Sequence, residues 1–257
     1  MAAGTEVWID IRKGARENSA EYFDRAKKLK EKLRRIRALL ESESKPAAAK
    51  RPAAEKAKKK TEWYERFRHF ISSEGNLVIG GKDARMNEEV IKKHTSKADT
   101  VFHADPAGSP FVVIRGACGE KTLSEAATFC AAHSRAWQAR IASVDVYCVK
   151  PEQVSKKALP GEFLPKGAFM IYGEKRYFKN TVLELAVFVS EDGLPAAAPP
   201  SAANQKKSVV IIPGGIERKE TIREIKAVIG FPGRDDEIDK LLPPGKCEFL
   251  KRRVPDK

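Results

Sequence analysis

"WYERFRHFISSEGNLVIGGKDARMNEEVIKKH" occupies residues 63–94, and its periodicity changes partway along. Trp63, Phe67 and Phe70 recur at spacings of four and three, which predicts the end of a helix running in from the amino-terminal side. From Gly75 the period shortens. "NLVIGG" reads as a short strand closed by glycines, and "ARMNEEVIKKH" as an amphipathic helix turning Met86, Val90 and Ile91 inward. A glycine pair followed by Lys, Arg and Asn can form the rim of a catalytic pocket or a surface that holds a nucleic-acid backbone; the residues around it favour the second.

Downstream, strands and helices alternate irregularly. "DTVFHAD" and "PFVVIRG" read as strands on either side of a Pro-Ala-Gly-Ser-Pro turn. "TLSEAATFCAAHSRAWQARI" reads as one helix, capped by Thr122 with Glu125 at capping-box spacing, and its alanines permit close packing on a sheet. "SVDVYCVK", "GAFMIYGEKRYF" and "LELAVFVS" read as further strands, and "PAAAPPSAANQKK" (195–207) as a linker or loop tip. A strand, a helix over 219–229 and a short helix before Pro243 complete the chain. Short turns between strand pairs predict an α+β fold, a mostly antiparallel sheet flanked by helices. The expected divisions are a basic arm over 1–62, a domain over 63–194, the linker over 195–207 and an extension over 208–257 packed on the same domain.

The arm has its own pattern. Tyr22, Ala26, Leu29, Leu33, Ile36 and Leu40 form a heptad seam over residues 19–42, a helix of roughly 35 Å. Asn18 and Ser19 supply its expected cap. Two prolines in "SKPAAAKRPAAEKAKKK" (44–60) break it before the pattern restarts toward Phe70, so a basic helical hairpin is expected. One helix with a flexible break is the alternative.

Charge follows the same division. Of a formal net charge of +14, residues 1–60 carry +9, with 18 Lys and Arg against 9 Asp and Glu. Such an excess points to a polyanionic partner, because Lys and Arg displace counterions from phosphates. With 42% hydrophobic residues in 257, the chain can bury a core. Cys118, Cys130, Cys148 and Cys247 are too scattered for a structural zinc, and buried thiols in a reducing cytosol are the simpler reading. No apolar leader and no stretch near ~20 apolar residues is present, so a soluble cytoplasmic protein is expected, with no membrane partner.

Several blocks carry a resemblance. "WYERFRHFISSEGNLVIGGKDARMNE", "FHADPAGSPFVVIRG", "TLSEAATFCAAHSRAW", "VKPEQVSKKALPGEFLPKGAFMIYGEKRYF" and "LPPGKCEF" resemble, in order and spacing, the carboxyl-terminal half of archaeal NFACT proteins. This is the RqcH-like group also called fibronectin-binding-protein-like. The likeness covers nearly all of residues 5–250. The arm resembles the family's coiled-coil hairpin, shortened, and residues from Trp63 onward resemble its NFACT-R domain. The resemblance implies RNA binding in ribosome-associated quality control, where full-length members bind an obstructed large ribosomal subunit and recruit tRNA for tailing. The family's amino-terminal NFACT-N domain has no counterpart here. The Asp24-Arg25 pair lies within the heptad helix and is not carried over, so tailing by this chain alone is not expected. A standalone form, a split form served by a separate NFACT-N-type chain, and a piece of a longer protein all remain open.

Candidate contacts follow from residue type. Lys82, Arg85 and Asn87 follow Gly80-Gly81, where glycines admit a close backbone and a helix start offers amide donors to an anion. No GxGxxG or GxxxxGK[ST] accompanies them, so no nucleotide cofactor is expected. His103 and Asp105 share a strand face, with Ser109 beyond them; without a G-x-S-x-G elbow they read as RNA contacts or a structural turn before catalysis. Gln153, Lys156, Lys157 and Lys166 lie in a Pro- and Gly-rich loop suited to single-stranded or folded RNA. Arg176 and Tyr177 sit in an expected hairpin turn, with Tyr177 free to stack on a base. The reading is a non-catalytic RNA-binding protein that docks on tRNA or the large ribosomal subunit. The rivals are a nucleic-acid-processing enzyme using His103 and Asp105, with or without a metal, and a coiled-coil scaffold.

Overall fold

The computed structural model describes residues 62–105, 108–157, 164, 166–203 and 207–253, with scattered positions between 10 and 33. It divides into two compact units, Met1–Lys60 and Thr61–Lys257.

The second unit opens with a hairpin. Strand β1 (Arg68–Ile71) pairs antiparallel with β2 (Leu77–Gly80), with His69 opposite Ile79. This corrects the expected helix end: the spacing of Trp63, Phe67 and Phe70 imitates a helical period, but Phe70 and His69 alternate across a strand. Pairing with β2 satisfies the backbone while Phe67 and Phe70 enter opposite cores. Helix α1 (Ala84–Lys93) follows, capped by the Asp83 carboxylate, which accepts from the Met86 amide at 2.8 Å.

Next come β3 (Thr100–Ala104), β4 (Val112–Ile114), α2 (Glu120–Ala132), α3 (Arg135–Gln138), β5 (Ser143–Val149), the short β6 (Val154–Ser155) and β7 (Met170–Ile171), and β8 (Arg176–Val182). The expected single helix after Thr122 is two, broken at His133 and Ser134, where the Ser134 hydroxyl accepts the Ala136 amide to start α3. Its cap is also corrected. The helix begins at Glu120, and Thr122 lies in the first turn, where its amide and hydroxyl both donate to Glu74 from the β1–β2 turn. The expected hairpin turn before Arg176 is no hairpin: β7 pairs with β6, whereas β8 pairs with β5.

Six strands form an antiparallel sheet in the order β1-β2-β4-β3-β5-β8. Its two faces are legible along β3, where Phe102 and Ala104 face one core and Val101 the other. The first face is covered by α2, whose Ala126, Ala127, Ala131 and Ala132 are buried and allow close approach. The second carries Phe67, Ile79, Val113 and Tyr147 beneath α1 and the β6–β7 ribbon.

A second antiparallel sheet, in the order β10-β9-β11-β12, is built from β9 (Leu185–Val189), β10 (Pro195–Ala198), β11 (Ser208–Ile216) and β12 (Cys247–Arg253). The expected linker is corrected here. Pro195–Ala198 is a strand paired to Val189–Ala186, and the small side chains that read as low complexity let Ala197 and Ala198 sit fully inside. Between β11 and β12 lie α4 (Arg218–Ile229), ended by Gly230 in the left-handed region at φ 71°, and α5 (Asp235–Asp239). Ile222, Ile225, Ile229 and Ile238 join the same core as α2. The described residues are therefore α+β, with antiparallel sheets throughout.

In the first unit the described positions from 15 to 33 are helical. Asn18 lies inside this helix, so it is not the cap; its side chain bonds the Asp10 amide at 2.8 Å and the carbonyls of Asp10 and Gly14. Leu29 and Leu33 of the heptad seam are each 54% exposed. Ile36, Leu40, the proline break and the second arm of the expected hairpin lie outside the described residues. Among the described residues no helix is long and apolar enough to cross a membrane.

Candidate nucleic-acid interface

A cleft of about 650 Å³ opens where the β2–α1 turn, the strand end after His103, the α2–α3 corner and the segment before β7 meet. Close contacts set its walls. At Gly81 a Cβ would lie 2.0 Å from the Asn87 Oδ1, the atom that accepts the Phe111 amide at 3.2 Å and ties the turn to β4. At Gly108, with φ of +100°, a Cβ would strike the Arg135 side chain at 2.4 Å, so only glycine lets Arg135 lie across the loop.

The lining is cationic. Arg68, Lys82, Arg135 and Lys166 face Asp83 as the one carboxylate among the described lining residues. Arg68 donates from its Nη1 to the Gly81 carbonyl at 2.8 Å, but its Nε is buried without a partner. Burial lowers its pKa, partly offset by Asp83. Lys82 is likewise pushed down by desolvation and by the nearby charges of Arg68 and Lys240. Cations held this close favour an anion between them.

Two histidines complete the floor. His103 is pushed down to about 4, mainly by burial, with the Ala104 backbone and Asp105 favouring its charge and Lys175 opposing it. His133 is pushed well down by burial and by Arg68. Both are neutral at pH 7, and the Nδ1 of His133 is buried without a partner among the described residues. Since the unfolded histidines take up protons near pH 6.5 and the folded ones do not, stability is fully present above that pH. It should fall as pH drops from about 6.5 toward 4. Thermal melts across that range check this; a flat profile contradicts it.

Of the sequence candidates, the fold brings Lys82, Asn87, His103, Ser109 and Lys166 to the cleft. Arg85 is exposed on the first turn of α1, and Asp105 is exposed at the end of β3. Several candidates spend their polar groups inside the fold. The buried Ser109 hydroxyl accepts the Ala104 amide at 3.0 Å, so it is a turn fastener with no free nucleophile. Ser109→Ala should lower stability by about 1–3 kcal/mol through the orphaned amide, read by denaturant titration. Gln153 donates to the carbonyls of Tyr172 and Glu174, both at 2.8 Å, and accepts the Lys150 amide. Lys156 bonds Glu88 and the Ala168 carbonyl, both at 2.8 Å, over the Phe169 ring.

Glu88 also accepts the Gly167 amide at 3.1 Å, and these bonds hold its pKa down to about 2. Its ion pair is intact above the ordinary carboxylate range near 4.5 and is lost only as pH falls toward 2.

Arg176 makes a two-pronged pair with Glu120 at 3.1 and 2.6 Å. Tyr177 is 38% exposed on β8, with Lys179 over its ring at 4.3 Å and Tyr147 beside it. Lys157 is exposed, with no side-chain bond given by the fold. None of these three lines the cleft.

Sequence reasoning missed Arg68, His133 and Arg135. Arg68 was legible only once β1 was a strand, since its alternation with Phe67 and His69 sets its face. His133 and Arg135 depend on the break between α2 and α3.

Residues 66–173 match the family described as "NFACT protein RNA binding domain". The chain is 45% identical over 206 residues to "Archaeal Rqc2 homolog aRqcH" of Methanocaldococcus jannaschii, covering 77% of this chain and 31% of that protein. It is 32% identical to "Ribosome quality control complex subunit NEMF homolog" of Drosophila melanogaster, covering 71% of this chain and 20% of that one. A solved structure, the carboxyl-terminal part of the fibronectin/fibrinogen-binding protein of Streptococcus suis, aligns at 20% identity and a TM-score of 0.40, over 68% of this chain and 76% of that one. The chain spans between a fifth and a third of the length of the two curated relatives.

Proposed function

We propose that this chain binds RNA through the cleft and serves, in the cytoplasm, as a docking part of ribosome-associated quality control, with tRNA or the large ribosomal subunit as its partner. It performs no chemistry of its own. The observation that carries the reading is the cluster of Arg68, Lys82, Arg135 and Lys166 within the segment that matches the RNA-binding family. Lys82, Arg135 and Lys166 make no ion pair among the described residues, which leaves them for phosphates. The Drosophila melanogaster relative is a ribosome quality control complex subunit homolog by name, which supports the ribosomal setting. A separate chain of the NFACT-N type fits the same reading as a partner for tailing.

Filter binding against tRNA and purified large subunits tests it directly, alongside sedimentation of the tagged chain with subunits. Submicromolar, salt-sensitive retention is expected at low ionic strength. Indifference to both RNAs, or turnover of RNA or nucleotide abolished by His103→Ala, would replace this reading with the enzymatic one.

A further inference from the structure

Two sets of side chains line the cleft. The first is polar. Arg68 Nε and His133 Nδ1 are buried and unpartnered, and His133 is only 5% exposed. A buried polar group left without a partner is destabilising, so such groups usually await an acceptor. A phosphate supplies both acceptor oxygens and the negative charge that Arg68 and Lys82 lack.

The second set is aromatic. The His103 ring lies 4.6 Å from Phe111 and 6.0 Å from Tyr147, and Phe111 lies 5.2 Å from Phe169. All four line the same cleft as the polar set. Aromatic walls stack bases irrespective of sequence. A volume of about 650 Å³ suits a small ligand, not a helix. A duplex would lay its backbone across the mouth and keep its bases stacked away from the floor where His133 sits. One nucleotide turned out of its stack brings phosphate and base face into the recess together.

We propose that the cleft seats a single unpaired nucleotide of the bound RNA, its phosphate against Arg68, Lys82 and His133 and its base along His103 and Phe169. This rests on the RNA-binding reading and adds the substrate class: RNA with a loop, bulge or free end in preference to continuous duplex. A chain end and a turned-out internal nucleotide present the same chemistry to the cleft.

The test titrates the full chain by calorimetry with adenosine 5′-monophosphate, adenosine and inorganic phosphate. The monophosphate should bind saturably and about tenfold tighter than either half. Lys82→Glu, at the exposed rim, and His133→Phe, at the floor, should each weaken it about tenfold or more. Arg223→Ala, far exposed on α4, should leave it unchanged. If His133→Phe fails a melting control, Lys82→Glu carries the test alone. Hairpin RNAs with 2-aminopurine in the loop or at the 3′ end then separate the two sources, because the seated position changes fluorescence.

No saturable binding of the monophosphate overturns the inference. So does phosphate binding as tightly as the nucleotide, or a Lys82→Glu variant that binds normally. Salt-sensitive tRNA binding without nucleotide binding removes this inference and leaves the RNA reading standing. Nucleotide binding without tRNA or subunit binding does the reverse.

Discussion

Raising salt from about 50 to about 200 mM should weaken tRNA binding by about 50- to 150-fold. Four lining cations, Arg68, Lys82, Arg135 and Lys166, each displace close to one counterion on contact with phosphate. At roughly 0.7 to 0.9 ions per contact the log–log slope is about −3 to −3.6, and a fourfold rise in salt gives that loss. Lys82→Glu should flatten the slope by about one unit or more, because it removes one contact and adds a repulsion. Filter binding at four salt concentrations measures both. A slope near zero for the intact chain would mean that the cleft's cations never meet a phosphate.

The second large effect is on stability. Trp137→Ala should cost about 3–5 kcal/mol, a sizeable part of the ~5–15 kcal/mol that holds a typical domain folded. Trp137 is fully buried on α3, and its indole N–H donates to the Lys246 carbonyl at 3.1 Å, joining the α2–α3 corner to the segment before β12. Truncation removes the packing and one of the two hydrogen bonds to that carbonyl, which keeps the Gly214 amide at 3.3 Å. His133 and Arg135 stand on the same corner, so nucleotide binding should fall with stability. Urea unfolding monitored by far-UV circular dichroism reads the first part; a loss below about 1 kcal/mol would show that the corner repacks.

How much of this was legible in the sequence varied by element. Strands β3 and β5 are rich in β-branched and aromatic residues, and α1 has a clear apolar face with a capping Asp83, so local chemistry and tertiary fold agree there. The failures have a common origin. At β1 a spacing of four and three between aromatics was compatible with a helix, and only hairpin pairing with β2 across the turn over 72–76 decided otherwise. At β10 neither alanine, which favours helix, nor proline, which breaks it, signals a strand, and the neighbouring β9 supplies the order. At the start of α2 the capping group is Glu74, 48 residues away along the chain, which no local pattern can disclose.

The candidate site was half visible. Lys82, His103 and Lys166 stood out as residue types beside glycines and turns. Arg68 and His133 did not, because an arginine in a strand and a histidine in a helix are unremarkable until the fold buries them side by side. Conversely Asn87, Ser109, Gln153 and Lys156 looked available, and the backbone groups that engage them come from other segments.

The Glu88 anchor has a consequence for kinetics. Its carboxylate fastens Lys156 and the Gly167 amide to α1, and protonation would release them only in strong acid. One bank of the recess is thus already in place when an RNA arrives, and little ordering of that bank is left for the encounter to accomplish. Association should run at a pace set by diffusion and long-range attraction, with a single relaxation phase and no slow closing step.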